Sequence, residues 1–175
     1  MPIIRTLTAA EAIEAVPALA DVLIDCVYGG ASVSFQPPLD QERAQAFWRT
    51  VAAAVAKGTT RLLVAEHEGK IAGTVQVQFA TSENQPHRGE IAKMLVHRSA
   101  RRLGLGAALM RGAEAEARQA GKTLLTLDTQ SGSGAEKLYA NLGWTRVGAI
   151  PGYALTPYDG LCATTLFYKD RKSVV

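Results

Sequence analysis

Apolar positions along the chain fall into strand and helix periods, separated by glycine, proline and small polar residues. Residues 3–7 predict a short strand. Thr8-Ala-Ala-Glu11 then reads as a capping box, hydroxyl and carboxylate each satisfying the other's backbone donor. A helix is expected to about Val27, with Ile13, Val16, Ala20, Leu23 and Ile24 as its apolar stripe and Gly29-Gly30 at its end. Residues 28–38, from Tyr28 through Phe35 to Pro37-Pro38, read as an uncharged loop carrying two aromatics of exposed type. Asp40 is the N-cap expected for a second helix running to Lys57 and stopped by Gly58.

Residues 61–67 and 70–80 pattern as an antiparallel hairpin turning at Glu68-Gly69. A polar loop over 81–89 leads to a strand at 90–97. Residues 103–120 form a helix with Leu105, Leu109, Ala113 and Ala117 on one face and Glu114 beside Arg118 on another, capped by Gly121. Residues 123–129 are nearly all apolar, the signature of a strand buried on both faces. Ser133-Gly-Ala-Glu136 is a second capping box, opening a short helix to about Leu142. Residues 145–150 and 162–168 finish as strands, with a Gly/Pro/Tyr loop between them. The order β-α-α-β-β-β-α-β-α-β-β, without repeat or linker, makes residues 1–175 a single α/β domain.

Composition narrows the function. At 175 residues, 47% hydrophobic and 20% charged, the chain is long and apolar enough for one core and is not a disordered segment. Cys26 and Cys162 match no disulfide, zinc or redox spacing. His67, His87 and His97 have no partner one helical turn away, so no metal site is expected. No apolar run reaches membrane-span length and the N-terminus has no signal-like core, so a cytoplasmic protein is expected. The net charge of +3 is uneven: residues 1–87 carry 6 Lys/Arg against 9 Asp/Glu, and residues 88–175 carry 13 against 7. The excess is densest between Arg88 and Arg102, which suggests a phosphate ligand and is too local for nucleic acid.

The segment Arg101-Arg102-Leu103-Gly104-Leu105-Gly106-Ala107 joins a strand directly to a helix. Glycines there let a ligand approach the backbone, and the helix N-terminus offers unpaired N–H groups to a pyrophosphate. The plainer reading is a strand-to-helix turn with solvated arginines. A dinucleotide fingerprint fails because Leu109 stands where the third glycine belongs, and Gly121-Lys122-Thr123 lies in the wrong order for a P-loop.

Arg101-x-x-Gly104-x-Gly106, after Ile-Ala-Lys-Met-Leu-Val and before an amphipathic helix, resembles the acetyl-CoA motif of the GNAT N-acetyltransferases. The likeness runs nearly the whole chain. Leu138-Tyr139-x-x-x-Gly143-Trp144 is similar to the family's second motif, and the stretches 28–35, 127–129 and 146–153 further resemble the tabtoxin-resistance acetyltransferases. One position departs: Gly132 stands where many members have asparagine.

The resemblance implies a mixed, mostly antiparallel sheet flanked by helices, with a parallel central pair splayed at the cofactor site. It implies acetyl-CoA as co-substrate, no metal, and a small-molecule amine as acceptor. Met94, Leu95 and Val96 would present backbone groups to the pantetheine arm, and residues 101–107 would hold the pyrophosphate. Tyr139 would be the general acid that returns a proton to the CoA thiolate; the alternative is a ring that only packs on the sheet. Asp128, at the end of an apolar strand, is a candidate base whose burial would raise its pKa, or else a turn residue. Glu90 matches another base position of the family, and could instead bind the substrate's ammonium or pair with Arg88. Tyr28, Phe35 and Trp48 are candidates for the acceptor wall, although Trp48, on an apolar helix face, is more often a core residue. The rival readings are a protein lysine or N-terminal acetyltransferase and a non-catalytic acyl-CoA-binding module. Oligomeric state is not readable, a homodimer being one option.

Overall fold

The computed structural model describes residues 2–170; Met1 and residues 171–175 of the expected 1–175 domain lie outside the described residues. Seven strands form one sheet in the order β1-β2-β3-β4-β5-β7-β6. They are β1 (Ile3–Thr6), β2 (Thr60–His67), β3 (Lys70–Phe79), β4 (Arg88–Val96), β5 (Leu124–Gln130), β6 (Thr145–Thr156) and β7 (Gly160–Asp170). The helices are α1 (Ala9–Glu14), α2 (Val16–Tyr28), α3 (Gln41–Ala56), α4 (Leu105–Gln119) and α5 (Gly134–Asn141). Every strand pair is antiparallel except β4–β5, which is parallel.

The sheet carries a core on each face. Leu19, Leu23, Trp48 and Val51 of α2 and α3 pack on Leu62, Val64 and Leu95. On the opposite face Leu105, Leu109, Ala113 and Ala117 of α4 pack with Tyr139 of α5 on Leu63, Val75, Val77, Ile91 and Leu125. The α4 stripe expected from its spacing is fully buried. Glu114, expected on an outer face beside Arg118, is buried instead. Its Oε1 accepts from Trp144 Nε1 at 3.0 Å and from Lys169 Nζ at 2.9 Å, tying α4 to β7 and to the residues after α5.

Other expectations need correction. The first helix is two, broken at Ala15, because Pro17 has no N–H to donate and its ring crowds the carbonyl one turn back. Ile13, assigned to the apolar stripe, is consequently exposed. Of the Gly/Pro/Tyr stretch read as a loop, residues 151–156 belong to β6 on the sheet edge, 160–161 open β7 and 157–159 are the turn between them. Pro151 and Gly152 sit in a register break between Ile150 and Ala154, where an edge strand loses no ladder bond to proline. Strand β5 is not buried on both faces: Leu125 and Leu127 are buried, Thr126 is half-buried and Asp128 is exposed. The second capping box is skewed, since Ser133 Oγ accepts from Glu136 N–H whereas the Glu136 carboxylate accepts from Gly132 N–H. The Glu68-Gly69 turn is as expected, with φ of +51° and +73°.

Candidate active site

The parallel ladder between β4 and β5 is short. It pairs Arg88 with Leu124, Gly89 with Leu125 and Glu90 with Thr126, and stops there. Beyond Glu90, β4 stays with β3 through Val96, and β5 stays with β7 through Gln130. The two central strands therefore diverge, leaving a wedge in the middle of the sheet with backbone groups of β4 unpaired along one side.

The α4 end of the wedge suits an anion. Gly104, at φ +79°, is the N-cap and supplies no side-chain acceptor, and no acidic residue lies in the first turn. The N–H groups of Leu105, Gly106 and Ala107 thus have no intrahelical partner. A Cβ on Gly104 would meet nothing within 4 Å, so its glycine serves the left-handed backbone. At Gly106 a Cβ would lie 3.1 Å from Leu138 Cδ2, so that glycine serves the close approach of α4 to α5. Arg101, Arg102 and Leu103 are exposed around this turn. Arg98 is otherwise engaged: its backbone N–H and Nε donate to Asp25 of α2 at 2.7 and 2.8 Å. Burial pushes the Asp25 carboxyl up, and the two Arg98 donors with the nearby positive charges more than offset this, so its pKa falls below the ordinary carboxylate value. The turn preceding α4 is in this way anchored to α2.

Of the three residues assigned to the pantetheine arm, Leu95 is buried and Met94 half-buried. The Val96 carbonyl is already an acceptor, from Arg101 Nε at 3.4 Å and Cys26 Sγ at 3.5 Å. Cys26 is buried, which pushes its thiol up to about 11 and leaves it a packing residue.

The opposite face of the wedge is polar. Glu90 stands at its apex, half-buried, with Oε2 3.7 Å from Arg88 Nη1; the Arg88 alternative for Glu90 is thus present in the structure. Arg88 Nη1 also donates to Thr126 Oγ1 at 3.3 Å. Asp128 lies two residues beyond Thr126 along β5 and is exposed, not buried as expected. Tyr139 is 5% exposed, its ring set against Phe167 and Trp144 at centroid distances of 6.0 and 6.3 Å. Its hydroxyl bonds to no described residue, and burial first, then the negative charge of Asp128, push its pKa well above the ordinary tyrosine value.

Loop 28–38 bridges this polar face. Ser32 Oγ and Gln36 Nε2 donate to the Leu155 carbonyl at 2.8 and 3.2 Å, and Tyr158 OH donates to the Tyr28 carbonyl at 3.3 Å. The loop thereby reaches from the α2–α3 side to the tip of the β6–β7 hairpin at the far edge of the sheet. Phe35, expected to be exposed, is half-buried edge-on against Phe47 at 5.2 Å. Phe47 in turn meets Trp48 at 5.0 Å, and Trp48 is wholly buried, which removes it from the acceptor wall.

The profile of the acetyltransferase (GNAT) family matches residues 23–144, most of the chain. The chain belongs to the GNAT acetyltransferase family. Solved structures share its fold. An N-acetyltransferase from Staphylococcus aureus Mu50 superposes with TM-score 0.81 at 18% identity, covering 98% of this chain and 99% of that one. A ribosomal-protein-alanine N-acetyltransferase from Brucella melitensis gives 0.78 at 23% identity, covering 96% and 99%. The yncA protein of Salmonella typhimurium, solved with its cofactor acetyl-CoA, gives 0.79 at 20% identity, covering 100% and 96%.

In this GNAT acetyltransferase the structure brings Glu90, Asp128 and Tyr139 to the wedge, and residues 101–107 to its α4 end. No cluster of His, Cys, Asp or Glu among the described residues could hold a metal. Two residues near the wedge escaped sequence reading. Lys93 donates to Ser34 Oγ at 3.1 Å and lies 5.8 Å from the centre of the Phe47 ring. Phe47 itself was hidden in a helix dominated by the Trp48 signal. The available signal for Lys93 was a cation of the basic stretch 88–102 set within the apolar run Ile91–Val96.

Proposed function

We propose that this enzyme transfers the acetyl group of acetyl-CoA to the primary amine of a small molecule. The observation that carries the reading is the early end of the β4–β5 ladder at Glu90 and Thr126. It leaves an opening with an uncapped helix N-terminus on one side and two carboxylates on the other. The N–H groups of Leu105, Gly106 and Ala107, with Arg101 and Arg102, fit the pyrophosphate. Unpaired backbone of Met94 and Leu95 fits the pantetheine arm. Val96 contributes less, its carbonyl being taken.

Asp128 or Glu90 removes a proton from the acceptor ammonium, directly or through one water. The amine nitrogen then bonds to the acetyl carbon while the carbon–sulfur bond breaks. A backbone N–H near Leu95 steadies the negative charge that develops on the acetyl oxygen. Tyr139, kept protonated by its burial, hands its proton to the departing sulfur, and the second proton shed by the nitrogen passes through water to restore the phenol. Orientation and charge stabilisation carry most of the rate, and each proton transfer contributes about 10²–10⁴-fold.

The roof of loop 28–38 favours a small acceptor over a protein tail, because its bonds to Leu155 and Tyr158 close the polar face. The tabtoxin-type resemblance of the same loop supports a dipeptide-like or β-lactam amine and a detoxifying role. We place the enzyme in the cytoplasm; no helix among the described residues is long and apolar enough to cross a membrane. Calorimetric titration with acetyl-CoA, followed by an amine screen reading thiol release, tests the reading. Saturable binding and amine-dependent thiol release are expected. Absence of acetyl-CoA binding would overturn it.

A further inference from the structure

Strand β4 carries an extra residue. Thr74 of β3 pairs with Leu95 and Gln76 pairs with Ala92, so Lys93 and Met94 together oppose Val75. Lys93 takes φ +48°, a left-handed conformation that costs a non-glycine residue about 1–2 kcal/mol. The bulge changes which side the strand presents. In a regular strand residues 91, 93 and 95 would share a face. Here Ile91 packs with α4 and Leu95 packs with α2 and α3. Lys93 is delivered to the α2–α3 side, where it meets Ser34 and Phe47.

The surroundings of that ammonium are unusual. Its hydrogen bond goes to a neutral hydroxyl and its nearest ring is Phe47, and no carboxylate of a described residue lies within 4.0 Å of it. Burial lowers its pKa, while the charges of Asp128 and Glu90 act in the opposite direction, so both acids lie within its electrostatic reach. Arg88, near Glu90, is already bonded to Gln85 and Thr126. Gln76, cross-strand from Ala92 and wholly buried, has an Nε2 without an acceptor. Around the roofed face there are thus two carboxylates suited to an ammonium, and one lysine with no carboxylate at salt-bridge distance among the described residues.

We propose that Lys93 binds a carboxylate carried by the acceptor, so that the enzyme acetylates amines bearing a free carboxylate, such as α-amino acids and short peptides, in preference to plain amines. The inference rests on the acetyltransferase reading above and adds the acceptor's second functional group. Lys93 sets specificity: the carboxylate docks on its ammonium and the amine end meets Asp128 and Glu90.

Thiol release at saturating acetyl-CoA tests this with the twenty amino acids and a set of Xaa-Gly dipeptides. Each is compared with its C-terminal amide and its decarboxylated amine. The amides are less basic than the parent acids and the decarboxylated amines more so, which separates charge recognition from amine basicity. The acids should exceed both neutral analogues by at least about tenfold in kcat/KM, the value of one charge-assisted bond. Lys93→Met should raise KM for the acids about 10–100-fold with kcat little changed and erase the preference, and Lys93→Arg should restore part of it. Three outcomes overturn the proposal: no carboxylate-bearing amine is used, wild type treats acids and neutral analogues alike, or Lys93→Met slows both alike. The wild-type comparison decides even if the variant misfolds. Acetyl-CoA titration of the same wild-type preparation tells the two readings apart: retained binding with any of those outcomes removes Lys93 alone, and lost binding removes the acetyltransferase reading as well.

Discussion

Replacing Tyr139 by phenylalanine removes one oxygen and leaves the ring in place. The ring is the structural part of this residue, 5% exposed and packed against Phe167 and Trp144. The hydroxyl bonds to no described residue, so its loss strands no buried partner. Stability should change by less than about 1 kcal/mol, a Tm shift of under about 4 °C for a domain of this size. The chemical effect is far larger if the phenol protonates the departing thiolate. kcat should fall about 10²–10⁴-fold, which is about 2.7–5.4 kcal/mol of barrier. The pH dependence sharpens the test. Burial and the Asp128 charge raise the phenol's pKa, so it remains protonated beyond the ordinary tyrosine value near 10. An alkaline fall in kcat between about pH 7 and 9 therefore does not belong to Tyr139, and it should persist in the variant if present. The assay is thiol release under saturating acetyl-CoA across that range, with thermal melting and acetyl-CoA affinity measured on the same preparations. A variant with normal Tm and kcat within about threefold of wild type would reduce Tyr139 to a packing residue.

Asp128→Asn should lower kcat about 10²–10⁴-fold and flatten the acidic limb of the pH–rate profile with acetyl-CoA affinity retained, and Glu90→Gln should do less; the reverse order in the two profiles would transfer the base to Glu90. Asp25→Ala frees Arg98 and should cost about 1–3 kcal/mol while weakening acetyl-CoA binding in calorimetry. Because the folded pKa of Asp25 is lowered, its stabilisation is complete above the unfolded carboxyl value near 3.9 and is lost as pH falls through the folded one; melts in which the gap between wild type and Asp25→Ala widens on acidification would contradict this. Glu114→Ala leaves Trp144 Nε1 without its acceptor and Lys169 with the Leu142 carbonyl but no counter-charge, and should cost about 3 kcal/mol, read as a denaturant midpoint shift, whereas a cost below about 1 kcal/mol would show the cluster to be solvated.

What was legible in the sequence followed from local rules. The α4 stripe, the Thr8 capping box, the Asp40 cap and the Glu68-Gly69 turn depend on residues within one or two turns of each other, and each is present. The wedge was expected from the resemblance, since nothing in the alternation of β4 or β5 tells where their pairing stops. Errors arose where distant structure decides. Residues 151–161 read as a loop because proline and glycine weaken a strand, yet β7 supplies a partner for 154–156 and the free edge excuses the proline. Asp128 was expected to be buried because its strand is apolar, but that strand leaves its neighbour at the wedge and bares one face. Glu114 was placed outside by helical periodicity, which cannot see Lys169 fifty-five positions away in the chain. Lys93 was counted in the basic stretch 88–102, but the side it faces was not readable, because a bulge breaks the period of two on which strand reading rests.

The left-handed backbone positions point to where folding energy is spent. Among the described residues, four other than glycine have positive φ: Ser34, Glu68, Lys93 and Arg102. Glu68 belongs to a hairpin turn that requires that conformation. The other three surround the wedge, Arg102 in the turn before α4, Lys93 in the bulge and Ser34 in the roof, and the last two are bonded to each other. Each costs about 1–2 kcal/mol relative to an unstrained backbone and persists only where surrounding structure over-determines it. The helices packed on both faces of the sheet supply that constraint, holding β4 in a path its own residues would not choose. Relaxing the bulge by deleting Met94 would return residue 93 to the α4 side. Such a deletion would set an ammonium in the apolar α4 core and remove a residue assigned to the pantetheine arm. Melting temperature, acetyl-CoA affinity and the preference for carboxylate-bearing amines should therefore all fall together, and a variant keeping that preference would show that the bulge does not aim Lys93.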